Sequence, residues 1–249
     1  MEKKNSNLSF LLIPMSFLLI LSISCKKQDN AIATPKQNPE IIFNSVLSYG
    51  TITDNDNNVY RTITIGSQTW MAENLKTTKY RNGDQISNVL SNTDWPVQTS
   101  GAYCWYNNDS ESCKALYGAL YNWYAVNDSR NIAPLGWHIP TSDEFTTLMN
   151  YLGGDSIAGG KIKETGITHW QTPNTRATNE SGFTAMPAGY RYLGDGRFEG
   201  LDQGSNFWTS DQPVVTNVLF RALGYLAANS SNSKGSMWCG NSVRCIKDK

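Results

Sequence analysis

Between Val59 and Ile65 the chain alternates: Val59, Ile63 and Ile65 are interleaved with Tyr60, Thr62 and Thr64. A period of two predicts a half-buried strand. Gly66-Ser67 then turns the chain into Gln68-Thr69-Trp70-Met71, so the two segments read as a hairpin. Over residues 115–126 the period lengthens. Leu116, Ala119, Leu120 and Trp123 fall at helical spacing, with Tyr117, Tyr121 and Tyr124 on the neighbouring stripe. They predict one helix, weakened at Gly118 by about 1 kcal/mol relative to alanine. A second helix is predicted over 141–152. Thr141 is its N-cap, Glu144 completes a capping box, Phe145, Leu148, Met149 and Leu152 form one face, and Gly153 ends it. Beyond Gly182, short runs at 183–186, 206–209, 219–222 and 242–246 are separated by glycine and asparagine turns and predict strands. Helices early and strands late in one domain imply an α+β class.

The N-terminal pattern is different. Lys3 and Lys4 precede an apolar stretch over residues 8–23, broken by Ser9, Pro14, Ser16 and Ser22. A permanent span needs about 20 apolar residues, so this stretch reads as a targeting segment. It ends Leu21-Ser22-Ile23-Ser24-Cys25 and turns polar at Lys26-Lys27-Gln28. A small residue directly before a cysteine resembles a bacterial lipoprotein box, although Leu21 stands one position further from the cysteine than usual. Residues 1–24 are therefore expected to be a signal peptide and Cys25 the lipidated mature N-terminus. Its acyl chains would contribute about 0.8 kcal/mol of anchoring per buried methylene. Residues 25–50, with Pro35, Pro39 and no period, are expected to be a tether, and 51–249 a single domain. Within the tether, Ile41-Ile42-Phe43 reads equally as a short strand or as an apolar spot in a linker.

Composition narrows the function classes. The 249 residues carry 21 Lys plus Arg against 21 Asp plus Glu, and this balance opposes a nucleic-acid partner. With only two histidines, His138 and His169, a monomer cannot build a three-histidine zinc centre. Eight Trp, 12 Tyr and 8 Phe beside 20 Gly describe a turn-rich domain with an aromatic core.

Several ordered motifs point to a family. Val59-Tyr60 followed by Ile65-Gly66-Ser67-Gln68-Thr69-Trp70-Met71-Ala72-Glu73-Asn74-Leu75 resembles the opening of the Fibrobacter succinogenes major paralogous domain. Tyr117-Gly118-Ala119-Leu120-Tyr121-Asn122-Trp123 and Ala133-Pro134-Leu135-Gly136-Trp137-His138-Ile139-Pro140-Thr141 continue the match. Ser181-Gly182-Phe183, Pro187-Ala188-Gly189-Tyr190-Arg191, Phe207-Trp208-Thr209-Ser210 and Val243-Arg244-Cys245-Ile246 complete it. The resemblance implies a secreted or surface lipoprotein and a C-type-lectin-like fold, shared with formylglycine-generating enzymes, in which two helices pack on a twisted antiparallel sheet. It carries no catalytic residues with it. The resulting expectation is a non-catalytic binding or structural module, lipid-anchored to the outer membrane at the cell surface. Its partners would be the membrane and a glycan or a cell-surface protein.

Residue chemistry adds four possibilities. Cys104, Cys113, Cys239 and Cys245 are an even number in an exported chain. They allow three disulfide pairings, of which the local one, Cys104–Cys113 with Cys239–Cys245, is favoured over free buried thiols. Cys239 and Cys245 also resemble the oxidase pair of formylglycine-generating enzymes, with one residue more between them than in that family. Asp54, Asp56 and Asn58 alternate as at the start of a calcium loop, but Val59 and Ile65 stand where its glycine and glutamate belong. Asx-turn chemistry accounts for the same residues. Calcium is the one cofactor this pattern suggests. Finally, Trp105, Asn107, Asp109 and Trp170 combine aromatic faces with amides and a carboxylate, and are the expected sugar-binding residues. Core packing is the competing role for the two tryptophans.

Overall fold

Regular structure starts with β1 (Gly50–Thr53), β2 (Val59–Ile65) and β3 (Gln68–Met71), which pair antiparallel in succession. The structure is a computed structural model that describes residues 40–211 and 217–249. The expected signal peptide at 1–24 and Cys25 lie outside the described residues. Next come β4 (Ser87–Asn88), β5 (Ala102–Cys104), α1 (Ser110–Tyr117), β6 (Leu120–Tyr121) and α2 (Trp123–Val126). They are followed by β7 (Trp137–His138), α3 (Ser142–Tyr151) and α4 (Asp155–Ile162). The last part holds β8 (Ala188–Arg191), β9 (Phe198–Leu201), β10 (Gly204–Trp208), β11 (Asn217–Gly224), β12 (Ser230–Ser236) and β13 (Ile246–Lys247). The class is α+β. Two five-stranded sheets, β1-β2-β3-β13-β7 and β12-β11-β10-β8-β9, accompany a three-stranded sheet β4-β5-β6. Most pairs are antiparallel; β8–β10 and β4–β5 are parallel.

The hairpin β2–β3 and the capped helix α3 form where the pattern places them. Thr141 Oγ1 accepts from the Glu144 amide, and the Glu144 carboxylate reaches back to the Thr141 amide at 2.9 Å. The predicted helix over 115–126 is instead two helices around a strand. Gly118 (φ 69°) ends α1, and a Cβ there would meet the Asn74 Cβ and the Leu75 carbonyl at 2.8 Å. Asn122 then opens α2 by accepting from the Ala125 amide. A helix the sequence did not announce, α4, contains Gly159 and Gly160. A side chain at either would strike backbone, at 2.2 Å for Gly159 and 2.4 Å for Gly160. Residues 183–186 hold a single bridge, Lys163 with Ala185, rather than a strand. The domain also begins earlier than residue 51. Phe43, Leu47 and Tyr49 pack against its core, the Ile42 amide donates to Glu164 at 2.6 Å, and the Arg61 guanidinium lies 4.1 Å from the Phe43 ring.

A buried cation ties three distant segments of the domain together. Arg244 is fully enclosed and uses all five of its donors. Its Nε and Nη2 donate to Asn74 Oδ1, Nη1 to the carbonyls of Met71 and Phe183, and Nη2 also to that of Thr184. Its plane faces Phe183 at 4.4 Å and Phe207 at 5.5 Å. Burial pulls its pKa down to about 9, so it remains a cation at neutral pH. Asn74 passes the connection on by donating to the Tyr117 carbonyl at the end of α1. Arg191 does the same work elsewhere. It donates to the carbonyls of Val89, Leu90, Ser91 and Gly196 and lies between Trp95 at 4.5 Å and Phe198 at 4.7 Å.

The four cysteines correct the disulfide expectation: Cys104, Cys113, Cys239 and Cys245 are all free thiols. Cys104 and Cys113 pack in one apolar cluster, and Cys245, with Cys239 against it, in another. All four act as small apolar groups. Burial pushes the Cys104 thiol up to about 12 and Cys113 up to about 11, and raises Cys239 and Cys245 as well.

Arg244→Met should orphan three carbonyls and Asn74 Oδ1. At about 1–3 kcal/mol per buried unsatisfied acceptor, stability should fall by roughly 3 kcal/mol or more. The urea midpoint measures this directly, and an unchanged midpoint would contradict it. The thiols set a pH dependence. A raised folded-state pKa gives stability that is complete below the unfolded thiol value near 8.5 and is lost as pH rises toward the folded value. Lys163 and Arg244, whose pKa values are lowered, act in the opposite sense. Between pH 8 and pH 10 the unfolding free energy from urea titration should therefore fall less in Cys104→Ala than in the parent, by about 2 kcal/mol. Equal falls would mean that folding does not raise the Cys104 thiol.

Candidate functional site

A groove of about 670 Å³ runs across β8, β9, β10 and the end of β11. Glycine keeps its floor low. Gly200 sits at φ 73°, a left-handed conformation that favours glycine, and Gly204 pairs with Gly224 across β10 and β11. Rings rise on its walls: Tyr106 from the turn before α1, Tyr190 from β8, Phe198 from β9, and Tyr225 just after β11. Tyr106 and Phe198 are tilted against each other at 5.3 Å. Phe198 is backed by the Arg191 guanidinium, so the carbonyl clamp that folds residues 89–92 also fixes one wall.

The polar groups are few and held in place. Tyr190 donates its hydroxyl to Glu199 Oε2, and Arg197 Nε donates to Glu199 Oε1. These two bonds hold the Glu199 carboxyl below its usual range. Burial, and then Glu199, push the Tyr190 phenol up to about 12. Asn206 and Gln203 contribute amides to the lining. Ser205 is 2% exposed, lines the groove, and its hydroxyl has no hydrogen-bond partner among the described residues. Lys163 holds the rim from below: its Nζ donates to the carbonyls of Thr175, Gly224 and Ala227 at 3.1, 3.1 and 2.9 Å. Burial pulls this ammonium down to about 8.

A smaller hollow of about 260 Å³ adjoins the groove through Leu201 and Gln203. Behind it His169, buried, meets Glu164 at 2.7 Å. Partial burial raises the Asp202 carboxyl on its rim, against the pull of His169 and of the Tyr117 hydroxyl. The other histidine, His138, lies between Asp248 at 2.6 Å and Glu144 at 3.0 Å. Both rings are thus oriented by carboxylates.

The residues expected to bind sugar do not meet in one place. Trp170 is 1% exposed, donates its indole N–H to the Ala185 carbonyl, and is covered by Lys163 at 5.3 Å. Trp105 is buried edge-on against Tyr103 at 5.4 Å. Neither offers a stacking face, so core packing is the role both adopt. Asn107 is exposed in a left-handed turn, and Asp109 is the N-cap of α1, accepting from Ser112. The Asp54-Asp56-Asn58 loop is an Asx turn. Asp54 accepts from the amides of Asp56 and Asn58, from the Asn58 side chain and from Tyr60. Asp56 accepts from Thr77 and Thr78 and pairs with Lys79 at 3.0 Å. Donors of the protein occupy the oxygens that a cation would need. Among the described residues no group of three or more His, Cys, Asp and Glu is placed to hold a metal ion. Of the two cysteines that resemble an oxidase pair, Cys245 is fully buried and Cys239 is half-buried, and burial raises both thiols.

No curated protein and no solved structure matches the chain. Residues 63–247 match the family described as Fibrobacter succinogenes major domain, a span that takes in the groove and both large sheets apart from β1 and the start of β2, and the chain belongs to that family.

Proposed function

We propose that the chain is an exported lipoprotein, held at the outer-membrane surface through Cys25, whose domain is a non-catalytic binding module of C-type-lectin-like fold. The lipoprotein box supports the anchor. Helices flanking antiparallel sheets, with the first and last strands sharing one sheet, support the finer fold. The observation that carries the binding role is the groove. Its walls are fixed by strand pairing and buried cations, and its lining offers rings, amides and one carboxylate. Neither histidine lines it, and all four thiols of the domain are held protonated by burial. Such a site recognises a ligand by shape and hydrogen bonding, and its rigidity lowers the entropy lost on binding.

Cys25→Ser should move the protein from the membrane pellet to the soluble fraction after a carbonate wash, whereas the parent stays with the pellet. A variant that still pellets would contradict the anchor. The binding role has its own check in Gly224→Leu. Gly224 lines the groove, has no left-handed backbone, and a Cβ there would meet nothing within 4 Å, so the new side chain fills the groove without strain. A saturation-transfer NMR screen of small fragments should return hits on the parent that disappear in this variant. Hits unaffected by it would contradict the groove as the binding face.

A further inference from the structure

Resting on that assignment of the groove as a binding face, we propose that its ligand is a neutral carbohydrate chain. Three features of the lining converge on this chemistry. The first is the pairing of rings with short polar groups. Tyr190, Phe198 and Tyr225 are half-buried and line the groove beside Glu199 and Asn206. A pyranose presents an apolar C–H face for a ring and equatorial hydroxyls for carboxylate and amide, which is the same alternation.

The second feature is Ser205. A hydroxyl that is almost wholly buried and unpartnered is an exception that calls for an explanation. It can donate and accept, and a sugar hydroxyl can do both in return. A ligand carrying only acceptors or only donors would use half of that capacity.

The third is charge. Among the described residues lining the groove there is no lysine or arginine, and Glu199 is the single ionised side chain. Anionic ligands such as phosphorylated, sulfated or uronic-acid polymers would meet the Glu199 carboxylate, and the Arg197 guanidinium paired with it stands outside the lining and is already engaged by Glu199 and Asp195. The groove is open and floored by Gly200, Gly204 and Gly224, so a chain can lie along it with its rings close to backbone.

The test uses the purified protein and isothermal titration with three sets of probes: neutral hexasaccharides (cello-, xylo- and mannohexaose), polygalacturonate, and a random heptapeptide pool. At least one neutral hexasaccharide should bind the parent. Gly224→Leu and Tyr225→Ala should each weaken it by about tenfold or more, and Ser205→Ala by a smaller factor. Urea midpoints show whether each variant is folded, and Tyr225→Ala keeps the test open should Gly224→Leu fold poorly. Sugar binding that both folded variants leave intact overturns the proposal. So does absence of binding to all three neutral chains, or tighter binding of the acidic polymer or of peptides. If fragment hits are still lost in Gly224→Leu while the neutral sugars fail, the ligand class is wrong and the binding face stands. If fragments and sugars both fail, the binding face falls too.

Discussion

A guanidinium buried without a carboxylate partner has to be surrounded by carbonyls, and that requirement shapes this domain. Arg244 sits on the final segment of the chain and closes on the Asn74 side chain and on the carbonyls of Met71, Phe183 and Thr184. Three stretches far apart in sequence must therefore arrive together with oxygens inward. The backbone follows: the Met71 amide donates to the Cys245 carbonyl and the Leu75 amide to the Val243 carbonyl. A buried cation of this kind adds little net stability over an apolar replacement of the whole site. Removing it alone leaves oxygens stranded, so it acts on which arrangement is adopted.

Arg191 applies the same constraint nearer the surface. Its donors hold residues 89–91 and 196 in place, while its faces press on Trp95 and Phe198. Phe198 is at once a wall of the groove and a partner of that cation. Lys163 completes the support by tying Gly224 and Ala227 to Thr175. The groove is shaped by groups that no ligand would touch. A preformed site of this kind loses little entropy on binding, consistent with recognition of a flexible chain whose own ordering opposes association.

What the sequence discloses follows from how local each determinant is. The capping box at Thr141 and Glu144 and the alternation in β2 are contained within a few residues, and both elements form as the pattern predicts. The break at Gly118 is set by Asn74 and Leu75, which are distant in the chain, so periodicity alone runs the helix through it. Strand β12, Ser-Ser-Asn-Ser-Lys-Gly-Ser, has no apolar alternation, because it is an edge strand paired only with β11. Helix α4 hides behind Gly159 and Gly160, which weaken a helix locally and serve close backbone packing. The candidate site was less legible. Trp105 and Trp170 carry the right chemistry for sugar, yet composition says nothing of exposure, and both are core residues. The groove takes its rings from four separate parts of the chain, and its most informative group, Ser205, is an ordinary serine until its burial is known. Arg191 and Arg244 stand inside the motifs that carry the family resemblance, but a charged residue gives no sign in sequence of being enclosed.

The central claim is that buried cations make one rigid framework that extends to the groove. Native-state hydrogen exchange tests it most directly. The amides of Met71, Arg191 and Tyr225 bond to Cys245, Gly240 and Gln203 and sample the Arg244 site, the Arg191 site and the groove rim respectively. All three should exchange only through opening reactions close to the free energy of global unfolding. Exchange of the Tyr225 amide through an opening several kcal/mol cheaper than that of Met71 would mean that the groove moves independently of the framework, and would contradict the account.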